Sequence, residues 1–297
     1  MRKYVSIDIG GTAIKYGVID ENGEILMRNQ MGTKAHEGGL AIVQRAVDIV
    51  KCVQAGYRVS GICISTAGMV DAEKGEIFYA APLIPDYAGT QWKRIMEKTF
   101  SLPCEVENDV NCAGLAESIS GAARGSRSTV CLTIGTGIGG CILIDGKLYR
   151  GYSGSACEVG YLHLPGGEFQ DLGAASILSA KVEARKGEKA GTWDGHRIFE
   201  AAKAGDPVCC LAIDELSDVL GQGIANICYV LNPQTVVLGG GIMAQEEYLK
   251  PRIEAALGRY LIGSIASRTS IKMAEHKNDA GILGAFYHFL QQQSRHR

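Results

Sequence analysis

What this chain lacks narrows its possibilities before any motif is read. No apolar stretch approaches the ~20 residues of a membrane-spanning helix. Lysine and arginine total 30 against 32 aspartates and glutamates, a net charge of −2, and no long basic run occurs. A nucleic-acid surface is therefore not expected. Proline is scarce, at 7 of 297 residues, and no Pro-, Ser- or charge-rich linker divides the chain. The 10 cysteines include no CxxC pair. Cys63, Cys131, Cys141 and Cys228 sit in apolar strand and helix patterns, and Cys209–Cys210 are vicinal, as suits reduced, buried thiols in a cytoplasmic protein. The first strand pattern begins by Tyr4, which leaves no room for a signal peptide.

What is present is an ordinary globular composition, 46% hydrophobic and 21% charged. Its length is great enough that two domains are expected. Two stretches about one domain apart look like copies of one another. Val5–Asp20 reads as a strand, a turn containing Gly10, Gly11 and Thr12, and a second strand carrying Lys15; Asn22–Gly23 then leads to a third strand. Val130–Asp145 repeats the plan with Thr133, Gly135, Thr136, Gly137, Gly139 and Gly140, followed by Asp145–Gly146 and Lys147–Tyr149. Asn-Gly and Asp-Gly are strong hairpin signals because a tight turn needs positive φ at its centre. Two glycine turns of this kind let backbone N–H groups approach a polyphosphate with no Cβ in the way. Plain hairpins with glycine at the bends are the alternative. A dinucleotide-binding fingerprint is excluded by the spacing and because Cys141–Ile144 continues as strand where a helix is needed.

The rest alternates helix and strand. Leu40, Val43, Val47 and Val50 recur at helical spacing up to Gly56, and Gly61–Ile64 is a buried strand running into Ser65–Gly68. Trp92–Phe100 marks a helix ending before Pro103. Glu105–Glu107 is a strand followed by Asn108–Asp109–Val110–Asn111 and a helix through Glu117. A long helix carrying Leu216, Val219, Leu220, Ile224 and Ile227 is stopped by Asn232–Pro233. Thr235–Leu238 is a strand entering Gly239–Gly240–Gly241, a triplet read as opening a helix. Ser270–Ala274 is a last strand and Ala280–Gln292 a closing helix.

Over essentially its full length the chain resembles the ROK sugar kinases, within the larger actin, Hsp70 and hexokinase group. The resemblance rests on Asp8-x-Gly10-Gly11-Thr12-x-x-Lys15, Glu107-Asn108-Asp109-x-Asn111, Thr133-x-Gly135-Thr136-Gly137-x-Gly139-Gly140, Glu158-x-Gly160 and Leu238-Gly239-Gly240-Gly241. It implies an α/β fold of two actin-like, hexokinase-like domains with duplicated βββαβα units and an interdomain cleft. The expected domains are 1–111 with a C-terminal helix in 280–297, and 112–279. A homodimer is the family habit.

Phosphoryl transfer asks a protein mainly for positioning and charge stabilisation, and attack by a sugar hydroxyl needs a carboxylate in reach. By the residues alone, Asn108, Asp109 and Asn111 all suit a helix N-cap; the resemblance makes Asp109 the catalytic base. It also gives Asp8 the task of holding hydrated Mg²⁺ beside ATP, where a turn-capping carboxylate is the alternative. Gly10, Gly11, Thr12, Thr133, Gly135, Thr136 and Gly137 would face phosphate; Lys15 would face phosphate or solvent. Gly239, Gly240 and Gly241 would let the nucleotide lie close to backbone, or simply end a strand. Gly68, Asn108, Asp109, Glu158 and Tyr161 would surround the sugar, with Glu158 otherwise a surface acid.

Departures from the family pattern bear on the substrate. Tyr161 stands where many members carry a zinc-binding histidine, and 164–180 contains no cysteine, so no structural zinc is expected. His163 and Cys157 offer at most two ligands. Ala174 lies near the place of a second sugar-binding glutamate. Glu158-x-Gly160-Tyr161 without cysteines, together with the tail from His276 to Gln291, resembles the beta-glucoside kinases of the family, which implies phosphorylation of a glucose 6-hydroxyl in cellobiose-like glucosides. Glucokinase, fructokinase, N-acetylmannosamine kinase and a non-enzymatic sugar-binding regulator are the alternatives. A phosphatase or ATP-driven binding module of the actin-like group shares the phosphate turns but needs no sugar-facing Asn108, Asp109 and Glu158.

Overall fold

Val5, Ile7 and Ile9 are fully buried, and with them Ile14 and Val18 of the next strand form the start of a core. The computed structural model that shows this describes residues 1–80 and 84–295; positions 296 and 297 of the expected 280–297 segment lie outside them. The chain divides into two compact units, the first made of Met1–Ile119, Arg150–Ser155 and Asn278–Arg297, the second of Ser120–Tyr149 and Ala156–Lys277.

In the first unit, strands β1 (Lys3–Ile9), β2 (Ala13–Asp20) and β3 (Ile25–Gly32) form an antiparallel meander. Asp20 closes its second turn: Oδ1 accepts from the N–H groups of Asn22 and Glu24, each at 2.9 Å, and Gly23 takes φ +88°. Helix α1 (Gly39–Gly56) returns the chain to β4 (Ile62–Thr66), and the hairpin of β5 (Met69–Asp71) and β6 (Glu76–Tyr79) follows. Helix α2 (Trp92–Phe100), β7 (Cys104–Asn108) and α3 (Asp109–Ile119) complete this stretch. The sheet order is β3-β2-β1-β4-β7, with β1, β4 and β7 parallel. A C-terminal helix, Ala280–Arg295, belongs to this unit, and its Ile282, Leu283, Phe286 and Phe289 pack with Tyr4, Ile19, Cys63, Cys112 and Ala116. The close fit uses missing side chains: a Cβ at Gly61 would enter the Phe289 ring, and one at Gly284 would strike the Cys112 carbonyl of α3.

The second unit repeats the plan. Strands β8 (Ser128–Ile134), β9 (Ile138–Ile144) and β10 (Lys147–Tyr149) form its meander, and a small ribbon of β11 (His163–Leu164) and β12 (Gly167–Glu168) follows. Helices α4 (Phe169–Gly173), α5 (Ala175–Lys186), α6 (Gly195–Lys203) and α7 (Pro207–Leu231) precede β13 (Thr235–Gly239). Then come α8 (Glu246–Tyr260), α9 (Gly263–Ala266) and β14 (Ser270–Met273). Asp206 caps α7 by accepting from Cys209 N at 3.0 Å, Pro207 occupies its first turn, and Asn232 ends it in the left-handed conformation. The order β10-β9-β8-β13-β14 and the strand directions match the first sheet position for position. The duplication read from two glycine turns therefore extends to whole five-stranded sheets.

Candidate active site

The parallel register of the first sheet collects its polar residues at one end. Asp8 is paired with Ser65, Ser65 with Glu107, and Thr66 with Asn108. Ser65 Oγ donates to Asp8 Oδ1 at 2.6 Å. Burial raises the Asp8 carboxyl above its ordinary value, against the pull of that hydrogen bond and of Lys15 on the facing strand. Asp8 also fills the place of a side chain at Gly281, in the first turn of the C-terminal helix, because a Cβ there would overlap its carboxylate.

The first glycine turn is closed by Gly10 N donating to Ala13 O at 3.1 Å and by Thr33, whose hydroxyl donates to Gly10 O at 2.6 Å. Gly11 and Thr12 are exposed at its tip, and no atom beyond its chain neighbours comes within 4 Å of a Cβ placed on Gly11. Lys15 has a specific partner: its ammonium donates to Asn278 Oδ1 at 3.0 Å.

Asn108 and Asp109 divide the labour at the start of α3. Asn108 is the cap, its Oδ1 accepting from Val110 N at 2.9 Å and Asn111 N at 3.1 Å. Its Nδ2 donates to Gly68 O at 2.9 Å and to Asp109 Oδ1 at 3.0 Å. Gly68 takes φ +99°, and a Cβ there would lie 2.9 Å from Tyr79 O, so the turn is restricted to glycine. Asp109 Oδ1 also accepts from Val110 N at 2.9 Å. Burial, then the nearby Asp8 charge, pushes the Asp109 carboxyl up to about 7. Asn108, Asp109 and Gly68 are thus brought together, and the capping role falls to Asn108, leaving Asp109 for other work.

The second unit holds the remaining candidates. Thr133, at the end of β8, is paired with Gly239 on β13, so the Gly135–Gly137 and Gly239–Gly241 turns lie side by side. Gly135 N donates to Gly137 O at 2.9 Å, Ala175 N to Gly135 O at 2.9 Å, and Ser176 Oγ to Thr136 O at 2.8 Å, which seats the turn on the start of α5. Gly240 takes φ +111°, and a Cβ there would collide with Ile134 backbone. The triplet does not open an α-helix as expected: Gly241–Ala244 is a 3₁₀ turn, and α8 starts only at Glu246.

Glu158 precedes a short 3₁₀ turn, Val159–Tyr161, whose last residue is Tyr161, and both are exposed. Partial desolvation by its surroundings still raises the Glu158 carboxyl. Gly160 lies where a Cβ would meet Ile138 O and the Gln170 amide, which presses this turn onto the second glycine turn. Ala174 is buried and precedes α5. Among the described residues no group of three or more His, Cys, Asp or Glu side chains could hold a metal ion, and no helix is long and apolar enough to cross a membrane.

Sequence reasoning gave no role to Ser65, Gly281, Glu107, Arg150 or His288. Glu107 was legible as a neighbour of Asn108–Asp109; Arg150, 43 residues away from it in the chain, carried no signal.

Two sheets of one topology, each presenting a glycine turn, with Asp8 and Asp109 in the first unit, fit the class of ATP-dependent sugar kinases with an alcohol group as acceptor. The chain belongs to the ROK family, whose model matches residues 4–292. It is 49% identical to an uncharacterized protein of Clostridium perfringens over 97% of this chain and 98% of that one. It is 32% identical to a beta-glucoside kinase of Listeria innocua over 99% of both chains. A ROK family glucokinase from Streptomyces griseus, solved with glucose and AMPPNP, superposes with a TM-score of 0.84 at 30% identity, covering 95% of this chain and 97% of that one.

Proposed function

We propose that this chain transfers the γ-phosphoryl group of ATP to the 6-hydroxyl of a glucose unit, with beta-glucosides such as cellobiose as the preferred acceptors. The observation that carries the chemistry is the Asn108–Asp109 turn. Asn108 takes over the helix cap and anchors one oxygen of Asp109, so the carboxylate is fixed in direction without being consumed by the cap. A carboxyl held near 7 is matched to taking a proton from an alcohol near neutral pH. In this reading Asp109 accepts the hydroxyl proton as the oxygen attacks, and Asn108, Glu158, Tyr161 and the Gly68 backbone hold the sugar.

The backbone of Gly10–Thr12, Gly135–Gly137 and Gly239–Gly241, with Thr133, binds nucleotide, and Lys15 lies at the edge of the first turn. Asp8 is a single carboxylate with one hydroxyl donor beside it. That donor set fits Mg²⁺ held through water and phosphate oxygens rather than in an all-protein cage. When bound, the ion supplies charge neutralisation at the phosphates. The beta-glucoside preference draws on the Listeria innocua relative and on Tyr161 in place of a histidine. A cytoplasmic homodimer is part of the same reading, and sedimentation of the purified protein tests the dimer.

A panel of cellobiose, aryl glucosides, glucose, fructose and N-acetylmannosamine with coupled ADP detection tests the proposal. Cellobiose and aryl glucosides are expected to give the highest kcat/KM. Glucose or N-acetylmannosamine turning over far better would replace the subgroup reading. ADP release at one rate with and without sugar would overturn the kinase reading itself.

A further inference from the structure

Glu107 is the last residue but one of β7 and is buried to 1% exposure, yet four donors converge on its carboxylate. Oε1 accepts from Asn108 N at 2.9 Å and from Asn111 Nδ2 at 2.9 Å. Oε2 accepts from Arg150 through Nε at 2.9 Å and through Nη2. His288, on the C-terminal helix, brings Nδ1 to 3.8 Å from the same oxygen and accepts there from Arg150 Nη2 at 3.5 Å. Burial works against the Glu107 charge; His288 and Arg150, with hydrogen bonds from Asn111 and Asn108, hold its pKa below the usual value. Burial also depresses His288, to about 4, so it is neutral at pH 7. Arg150 is therefore the permanent cation at Glu107.

Arg150 comes from an unusual place. It begins the segment Arg150–Ser155, which belongs to the first unit although the residues on either side of it belong to the second. Within that segment a Cβ on Gly154 would lie 3.6 Å from Phe78, and Ser155 Oγ donates to Met69 Sδ at 3.6 Å.

We propose that Arg150 is a positioning residue for phosphoryl transfer. Its guanidinium fork fixes Glu107, Glu107 fixes the Asn108 backbone and the Asn111 side chain, and that turn aims Asp109. The inference rests on the reading of Asp109 as the base. A planar fork suits the role because its two donors meet one carboxylate in a fixed orientation, which an ammonium cannot reproduce. A carboxylate suits Glu107 because every partner facing it in this turn is a donor.

The test uses the full chain as Arg150→Met, Arg150→Lys and the double variant Arg150→Met with Glu107→Gln. It reads kcat, KM for ATP, thermal midpoint, and hydrogen exchange at the Val110 and Asn111 amides. Arg150→Met is expected to lower kcat roughly 10- to 100-fold, since small misplacements of a reacting group cost about that much. KM for ATP should stay within about twofold, because nucleotide contacts are untouched. Exchange at the two amides should rise, and Arg150→Lys should recover part of both losses. The double variant should regain thermal stability without regaining kcat, because no charge is then left buried alone. A normal kcat with unchanged exchange in Arg150→Met overturns the proposal. So does a double variant whose kcat returns in step with its stability, which is the mark of a purely structural pair. If no sugar supports turnover, the kinase reading fails on its own account; unchanged exchange in Arg150→Met would still overturn the Arg150 link.

Discussion

Asp8 occupies the space that a side chain on Gly281 would need. A carboxylate at the end of the first strand and the opening turn of the C-terminal helix are thereby locked against each other, across most of the sequence. Gly281→Ala should push the Asp8 carboxylate aside and reduce kcat/KM for Mg-ATP roughly 10- to 100-fold, the scale of a misplaced reacting group. A Mg²⁺ titration of the variant should show the loss concentrated at low metal. Unchanged kinetics would mean that the position of Asp8 is immaterial.

Asp109→Asn keeps the size of the side chain and both Oδ1 hydrogen bonds while removing the proposed base. The fold and nucleotide affinity should persist, and kcat should drop by about 10²- to 10⁴-fold. Near-normal turnover with the panel's preferred sugar would remove Asp109 from the proton transfer.

Gly284 is in contact with the Cys112 carbonyl, where α3 and the C-terminal helix cross. The backbones leave no room for a methyl group, and neither helix can shift without disturbing Cys63, Ala116 and Phe286. Gly284→Ala is expected to destabilise the protein by about 1–3 kcal/mol, as overpacking does. Its urea midpoint should fall, whereas Gly258→Ala, open to space within helix α8 of the other unit, should hold or raise it because alanine favours the helix.

His288 predicts a pH dependence of stability. It faces Glu107 on β7 and Arg150, with the charges of Arg295 and Lys93 also felt, and burial holds it at about 4 against an ordinary 6.5. Between those values the unfolded chain takes up a proton that the folded chain refuses, so stability is lost as pH falls through this window. The loss should reach roughly 2 kcal/mol by pH 5 from this group. Glu107 beside it is held below its usual value by His288 and Arg150, against the opposing effect of burial. His288→Gln should flatten the stability profile between pH 7.5 and 5; parallel profiles would show that His288 is already charged when folded.

Much of this was readable in advance, for identifiable reasons. The meanders followed from Asn22–Gly23 and Asp145–Gly146, because turn chemistry is local. The buried strands Ile62–Thr66 and Thr235–Gly239 followed from short apolar runs between small residues. Asn108 and Asp109 were both candidates for the cap, and their split roles became visible only through hydrogen bonds to Val110, Asn111 and Gly68. The Gly239–Gly241 triplet misled because glycines permit several backbone paths, and the one taken is decided by Ile134 on a strand a hundred residues earlier. Arg150 was silent because its partner is set by tertiary structure alone.

The assembly of the first unit from three separated pieces of chain has a consequence for synthesis on the ribosome. Tyr4, Ile19 and Cys63 emerge early, but Phe286 and Phe289, which cover them, emerge only after the whole second unit. Domains generally fold in order from the N-terminus as they emerge, and here that order is broken. The leading half must wait, with an apolar face uncovered, until the second unit has been made. A fragment ending after Ile119 should accordingly bind chaperones or precipitate rather than fold.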